Sequence, residues 1–233
     1  AYNLGTTSTT IGSQGAAYYL NGYISNLRVV KGTAVYTANF TPSTTPLNSI
    51  ANTSLLTCNS NRFIDYSPIN NVITRNGDTT VNKFSPFPGY ITNFASYSGF
   101  FDGTGDYLTT PVNAGFDMGT GDFTVECFVI NNGYSGSQYG RGLFVIYTGG
   151  NYNNRFMVRL NQGANVMNMY GYNGSSTYFG ASGTNGTITL NNSSQWYHIA
   201  VIRQSGVFKL YVNGVQDIIV SDQTSISLPS SSV

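Results

Sequence analysis

Charge is scarce in this chain: only 8% of its residues are Asp, Glu, Lys or Arg, against about 25% in a typical soluble domain. The net charge is +1, so nothing in the overall balance draws nucleic acid or an anionic membrane. Few charges also means few of the gatekeepers that normally keep exposed strand edges apart. There is 1 His, His198, too few for a zinc cluster, and no Ser stands in a nucleophile-elbow motif that could use it in a triad. Its place at the start of a strand predicts a packing role. The 2 Cys, Cys58 and Cys127, match no metal or redox spacing and allow at most one internal bridge. Two buried thiols are the favoured reading, because free Cys packs as a small hydrophobe. A bridge would instead indicate an oxidising compartment. No apolar run reaches the roughly 18 residues of a membrane span, and no signal peptide is evident. The chain does not begin with Met and opens inside strand-rich sequence, which predicts a mature product or a segment of something longer.

What is present is hydrophobic residues at 40% and aromatics at 14%, ample to drive folding and incompatible with disorder. Asn, Ser, Thr, Gly and Tyr supply the polar surface, a composition suited to extracellular, glycan-facing or assembling proteins. At 233 residues the chain can close one good-sized core, a common length for a single all-β domain. Its clearest stretch is Trp196 to Val220. There Phe208, Leu210 and Val212 alternate with Val207, Lys209 and Tyr211, the period of a strand with one face on a core. Asn213-Gly214 is a strong hairpin signal, since both residues tolerate positive φ, and Gln204-Ser205-Gly206 marks a second turn.

Taken in order, Tyr18-Tyr19-Leu20 and Tyr23 to Val30 read as strands around an Asn21-Gly22 turn. The second has apolar residues on both faces, which predicts a strand interior to a sheet. Pro42 and Pro46 make residues 38–47 an extended linker or edge-hugging loop. Ser54 to Cys58 is a short strand, and Asn76-Gly77 signals a further hairpin. Beyond Ser98, strand and turn signals recur regularly, with GTGD at Gly103 to Asp106 and again at Gly119 to Asp122. Phe123, Val125, Cys127 and Val129 share one strand face. No amphipathic helix is evident, so the fold is expected to be all-β.

The segments GFFDGTGDYL (Gly99 to Leu108), FDMGTGDFTVECFV (Phe116 to Val129) and WYHIAVIRQSGVFKLYVNG (Trp196 to Gly214) resemble the laminin G-like, concanavalin A-like jelly-roll modules of phage and bacterial surface proteins. The opening strand and F-x-D-x-S segment of such modules look like Thr53 to Pro68. Their closing strand is similar to Leu20 to Tyr36. The resemblance implies an antiparallel jelly-roll β-sandwich with its closing strands placed first. Residues 1–48 would be those closing strands plus a linker, and 51–233 the main sandwich lacking its last strands. Residues 1–48 must then fill the gap in their own chain or in the next one. Filling the next one gives an open head-to-tail homopolymer by strand complementation. Tyr18, Tyr19, Leu20, Tyr23, Ile24, Leu27, Val29 and Val30 would form that junction.

The expected function is therefore a structural subunit of an extracellular or virion filament, with a lectin-like, carbohydrate-binding adhesion module as the alternative. Glycosidases on related sandwiches need paired carboxylates no more than about 10 Å apart. Glu126 is the one Glu and has no second acid within three residues, so no enzyme is expected. Tyr134, Tyr139, Tyr147, Tyr152, Tyr170, Tyr172 and Tyr178 are candidate sugar-stacking platforms. They equally suit cross-strand pairs or a subunit interface. Asp102, Asp106 and Asp122 in the GTGD turns are candidate ligands for calcium, which related modules hold at a sandwich edge. Ordinary turn chemistry explains them as well. Asn39, Asn52, Asn173, Asn185, Asn191 and Asn192 stand in N-glycosylation sequons.

Overall fold

The computed structural model describes residues 8–15, 17–89, 96–111, 113–133, 140–148, 154–161, 164–172, 177–179, 183–191 and 193–221. In chain order the strands are β1 (Ser8–Ile11), β2 (Asn21–Lys31), β3 (Thr53–Thr57), β4 (Thr74–Asn76), β5 (Thr80–Asn82), β6 (Ser98–Asp102), β7 (Tyr107–Thr110) and β8 (Phe123–Asn131). They continue with β9 (Arg141–Thr148), β10 (Asn154–Leu160), β11 (Val166–Tyr172), β12 (Thr177–Tyr178), β13 (Thr184–Thr189), β14 (Tyr197–Gln204), β15 (Val207–Val212) and β16 (Val215–Val220). A single 3-10 turn at Ala114–Phe116 is the sole helical element among the described residues.

These strands form two antiparallel 8-stranded sheets. The first runs β12-β11-β10-β9-β1-β7-β4 with β13 paired to β11, and the second β16-β15-β14-β8-β2-β6-β5 with β3 paired to β2. The fold is an all-β jelly-roll sandwich. Its core is one cluster between the sheets, to which the first gives Phe144, Ile146, Phe156, Val158, Met167 and Met169. The second gives Phe123, Val125, Cys127 and Val129 from β8 and Phe208, Leu210 and Val212 from β15, the faces their alternation predicts. Cys58 and Cys127 are free thiols inside this core. Burial pushes the Cys58 thiol up to about 12, which keeps it protonated and unreactive.

β2 occupies the middle of the second sheet, and its two apolar faces have a specific cause. Asn26 sits at φ 53, where the pairing register with β8 shifts between Ser25 and Arg28. The extra residue is a bulge that resets the alternation. Ile24 faces the core before it and Leu27 and Val29 after it. Before the bulge β2 pairs with β6, and after it with β3. Asn26 also accepts the Leu47 backbone N–H at 2.9 Å.

Two local expectations change. Asn21-Gly22 is not a turn: both residues lie in β2, where a Cβ on Gly22 would meet the Ile130 carbonyl oxygen at 2.0 Å. Nor does Asn76-Gly77 close a hairpin. β4 pairs with β7 in the first sheet and β5 with β6 in the second, so this turn is a corner between layers. The β6–β7 connection is a second such corner.

The leading segment lies within its own chain. β1 is inserted between β9 and β7, and β2 between β8 and β6. Leu20, Ile24, Leu27 and Val29 are in the main core and Val30 is fully buried. Tyr18, at φ 54, is half-buried. Tyr19 stacks on Tyr107, and Tyr23 packs against Phe84, Phe100 and Trp196. After β2 the chain crosses the outer face of the second sheet as a strap, residues 33–48. Val35 donates to Thr124 Oγ1 at 2.8 Å, Thr124 Oγ1 donates to the Thr33 carbonyl at 2.9 Å, and Phe40 N–H donates to the Gly214 carbonyl at 3.0 Å. Ala34, Tyr36 and Phe40 pack there on Ala200, Ile202 and Tyr211.

Candidate ligand-binding face

The outer face of the first sheet follows from strand period and register. Arg155, Met157 and Arg159 share one side of β10, and Asn168, Tyr170 and Tyr172 share one side of β11. Antiparallel pairing sets Arg155 opposite Tyr172, Met157 opposite Tyr170 and Arg159 opposite Asn168. On the other flank β9 sets Tyr147 beside Arg155 and Val145 beside Met157. Val145, Tyr147, Met157 and Tyr170 form an apolar floor, with Tyr172 half-buried at its edge. The Tyr147 hydroxyl is 2.9 Å from Thr10 Oγ1 on β1.

Two guanidinium groups stand over this floor. Arg155 and Arg159 each lie 5.0 Å from the Tyr170 ring centre, and Arg155 is 5.8 Å from that of Tyr172. Such stacking favours a cation over an aromatic face. Arg155 Nη2 donates to the Tyr170 hydroxyl at 3.3 Å, while its Nε–H is buried and has no acceptor. Arg159 Nε donates to Asn168 Oδ1 at 2.7 Å, and Asn168 Nδ2 donates to Asn185 Oδ1 at 2.7 Å. Burial, reinforced by the neighbouring Arg155 charge, pulls the Arg159 guanidinium below its ordinary range against the opposing effect of Tyr170. The face thus groups aromatic rings, amides and positive charge; Tyr147, Tyr170, Asn168 and Arg159 are buried, Arg155 and Tyr172 are half-buried, and Asn185 is exposed.

A second polar site lies where the two sheet corners meet. Asp78 lies in the β4–β5 corner, and Asp102 and Asp106 bracket the β6–β7 corner. One carboxylate oxygen from each lies within 4.8 Å of the others. Asp106 Oδ2 accepts the Asp102 backbone N–H at 3.0 Å, and its Oδ1 is buried without a partner. Burial raises the Asp106 carboxyl above 3.8, with Asp102 and Asp78 adding to it against the backbone hydrogen bond. Crowded hard oxygens with one orphaned acceptor fit calcium. Asp78, Asp102 and Asp106 would hold it, and its charge would relieve their mutual repulsion. Asp122 is elsewhere and accepts Ser205 N–H at 2.7 Å.

Glu126 is fully engaged beneath the strap. Arg28 Nε and Nη2 donate to its Oε1 at 2.9 and 2.6 Å, Tyr36 hydroxyl donates to Oε2 at 2.8 Å, and His198 Nε2 lies 3.0 Å from Oε2. Arg28 Nη1 reaches the Asn48 carbonyl at 2.7 Å. Burial acts to raise the carboxyl, but the His198 hydrogen bond, the Arg28 and His198 charges and Tyr36 outweigh it and hold it below 4.5. The Tyr36 and Phe40 rings, 3.6 Å apart, close over the network. A carboxylate so paired and covered cannot reach a glycosidic bond. Asp65, of the F-x-D-x-S segment, is likewise structural: it accepts the backbone N–H groups of Leu56, Ser67 and Asn71.

Among the candidate sugar platforms, Tyr134, Tyr139 and Tyr152 lie outside the described residues. Tyr147, Tyr170 and Tyr172 come together on the outer face, whereas Tyr178 packs against the main core. Of the sequons, Asn39, Asn52, Asn185 and Asn191 are exposed, and Asn173 and Asn192 lie outside the described residues. Sequence reasoning missed Arg155, Arg159, Asn168 and Asp78. The first three carried a signal, an even spacing that keeps Arg155 and Arg159, four residues apart, on one strand face and Asn168, Tyr170 and Tyr172 on another.

Two antiparallel sheets, a core between them and a rim of acidic turns define a laminin G-like sandwich. The family model described as the concanavalin A-like lectin/glucanases superfamily matches residues 102–232, more than half of the 233-residue chain, and the chain belongs to that superfamily. β1 to β5 lie ahead of the matched range. No curated protein and no solved structure matches. Among the described residues no helix is long and apolar enough to cross a membrane.

Proposed function

We propose that this domain is a non-enzymatic, lectin-like adhesion module, working outside the cell or on a virion surface. It binds carbohydrate on the outer face of its first sheet. The observation that carries this reading is the grouping, on one sheet face, of the half-buried Tyr172 and Arg155 with the exposed Asn185 amide, over a buried floor that includes Tyr147 and Tyr170. Aromatic rings stack on the apolar face of a sugar, and amides and guanidinium groups bond its hydroxyls. The superfamily includes both lectins and glucanases, and the enclosed Glu126 favours the former. Calcium at Asp78, Asp102 and Asp106 would brace the rim.

The competing reading is a filament built by donating residues 1–48 to the next subunit. Its motive is an open groove, and β1 and β2 fill that groove from their own chain. Adhesion therefore ranks first. A glycan array probed with the purified domain tests it, with light scattering on the same sample. The expected result is a monomer that binds saccharide and loses at least about tenfold in affinity on Tyr172→Ala. A polymer indifferent to every saccharide would overturn it in favour of the filament.

A further inference from the structure

The strap over the second sheet lies outside the core that it shields. None of residues 33–48 belongs to the main cluster between the sheets, and Ala34, Tyr36 and Phe40 pack on the outer face instead. The strap has no regular secondary structure, and residues 37–39, 41, 44 and 45 are exposed. Exposed Gly32, at φ 79 with open space around it, precedes the strap, while Pro46 and Leu47 are buried at its far end. A segment with a hinge, a fixed end and few buried apolar contacts opens at low free energy while the core stays closed. We infer that residues 33–45 are an acid-released lid, latched to the sandwich by the hydrogen bond from Tyr36 to Glu126. This inference stands apart from the lectin-like reading.

The lid's other polar links are indifferent to acid. Val35 and Phe40 are held through their backbone N–H groups, and Asn39 Oδ1 accepts the Gln216 N–H at 3.0 Å. Lys209 Nζ donates to the Thr37 carbonyl at 3.1 Å and keeps its charge as pH falls. Glu126 is the group that changes. Arg28 faces it from β2, His198 from β14 and Tyr36 from the lid. These partners hold its carboxyl below 4.5, so the latch is complete at neutral pH and released as pH falls through the depressed value. A hydrogen bond to a carboxylate is roughly twice as strong as one between neutral groups. Protonation therefore weakens the latch. It also strips Arg28 of its counter-charge beneath a dry cover, a state that admitting water relieves. The Tyr36 and Phe40 rings are stacked on each other and both meet the His198 ring edge-on, so they leave as a pair. Lifting them bares His198, Tyr211 and Glu126, while β2, β8 and β14 stay paired beneath.

The test is hydrogen exchange of the full chain by mass spectrometry from about pH 7 to about pH 3, each rate referred to the intrinsic rate at that pH. Protection in peptides spanning residues 33–45 should fall at least about tenfold before β8, β14 or β15 loses any. Tyr36→Phe removes the latching hydroxyl alone. It should lower lid protection about tenfold at neutral pH and shrink its pH dependence, with the melting temperature scarcely moved. Glu126→Gln, the neutral stand-in for the protonated acid, should give a lid that is open at neutral pH and indifferent to acid. If that variant does not fold, the wild-type series and Tyr36→Phe decide. Lid and core losing protection at one and the same pH would overturn the inference, because acid would then act on the whole domain. Lid protection that is flat with pH, or untouched by Tyr36→Phe, would equally rule out Glu126 as the latch.

Discussion

The two outer faces of the sandwich are built from the same strand geometry and carry different chemistry. On the second sheet, Glu126 meets Arg28, His198 and Tyr36, and the strap of residues 33–48 closes over them. On the first sheet, Arg155 projects between Tyr147 and Tyr172 with an orphaned donor and no carboxylate beside it among the described residues. Where opposite charges pair and water is excluded, polar groups serve the fold.

The sharpest way to break the contrast is to remove the central acid of the covered face. Glu126→Ala leaves Arg28 and His198 buried without their partner and should cost about 3–5 kcal/mol, read as a lower urea midpoint. Arg155→Gln, at a half-buried position on the first sheet's outer face, should change stability by less than about 1 kcal/mol in the same measurement. Similar losses at the two positions would erase the distinction. A smaller effect is expected from the strap's contact with the β15–β16 turn. Gly214 has φ +77, and a Cβ there would meet the Phe40 carbonyl oxygen at 1.8 Å. Gly214→Ala should cost about 1–3 kcal/mol for the backbone conformation alone. It should also speed hydrogen exchange at Phe40 while leaving saccharide binding intact.

The pH response sharpens the comparison further. The folded Glu126 carboxyl lies below 4.5. Its stabilisation is therefore complete above that pH and is lost as pH falls through the depressed value. Asp106 has the opposite sign: its folded carboxyl lies above 3.8, so its favourable contribution is present in acid and is lost as pH rises through the raised value. Acid unfolding should lose its steep step in Glu126→Gln. Asp106→Asn, the smallest effect, should raise the melting temperature slightly at neutral pH and not at low pH. Calcium should raise the melting temperature of the wild type and not that of Asp106→Asn, and a wild type unmoved by calcium or chelator would dismiss the rim as a cation site.

Much of the fold was legible because a strand's period is local. Phe208, Leu210 and Val212 announce their face by spacing alone, and Asn213-Gly214 turns as its φ values of 51 and 77 require. Partnership is not local. Asn76-Gly77 carries the same turn chemistry, yet its flanking strands join different sheets. The bulge at Asn26 slips the alternation of β2 by one residue, which a strict period of two reads as apolar on both faces. The GTGD repeat illustrates the limit for sites. Asp106 meets Asp78 across two corners, while Asp122, in the identical tetrapeptide, caps a turn. Arg155 and Tyr172 were each visible as outward strand residues, but their meeting depends on the β10–β11 register, which no single segment encodes.

The insertion of β1 between β7 and β9 has a consequence on the ribosome. β1 is synthesised well before its neighbours, which are among residues 107–110 and 141–148. At about 5–20 residues per second the arm waits on the order of ten seconds before it can be zipped into place. Through that interval it travels as an unshielded β-segment beside identical arms on the same polysome. Yield of the folded domain should therefore follow elongation speed and chaperone supply as closely as it follows the stability of the finished sandwich.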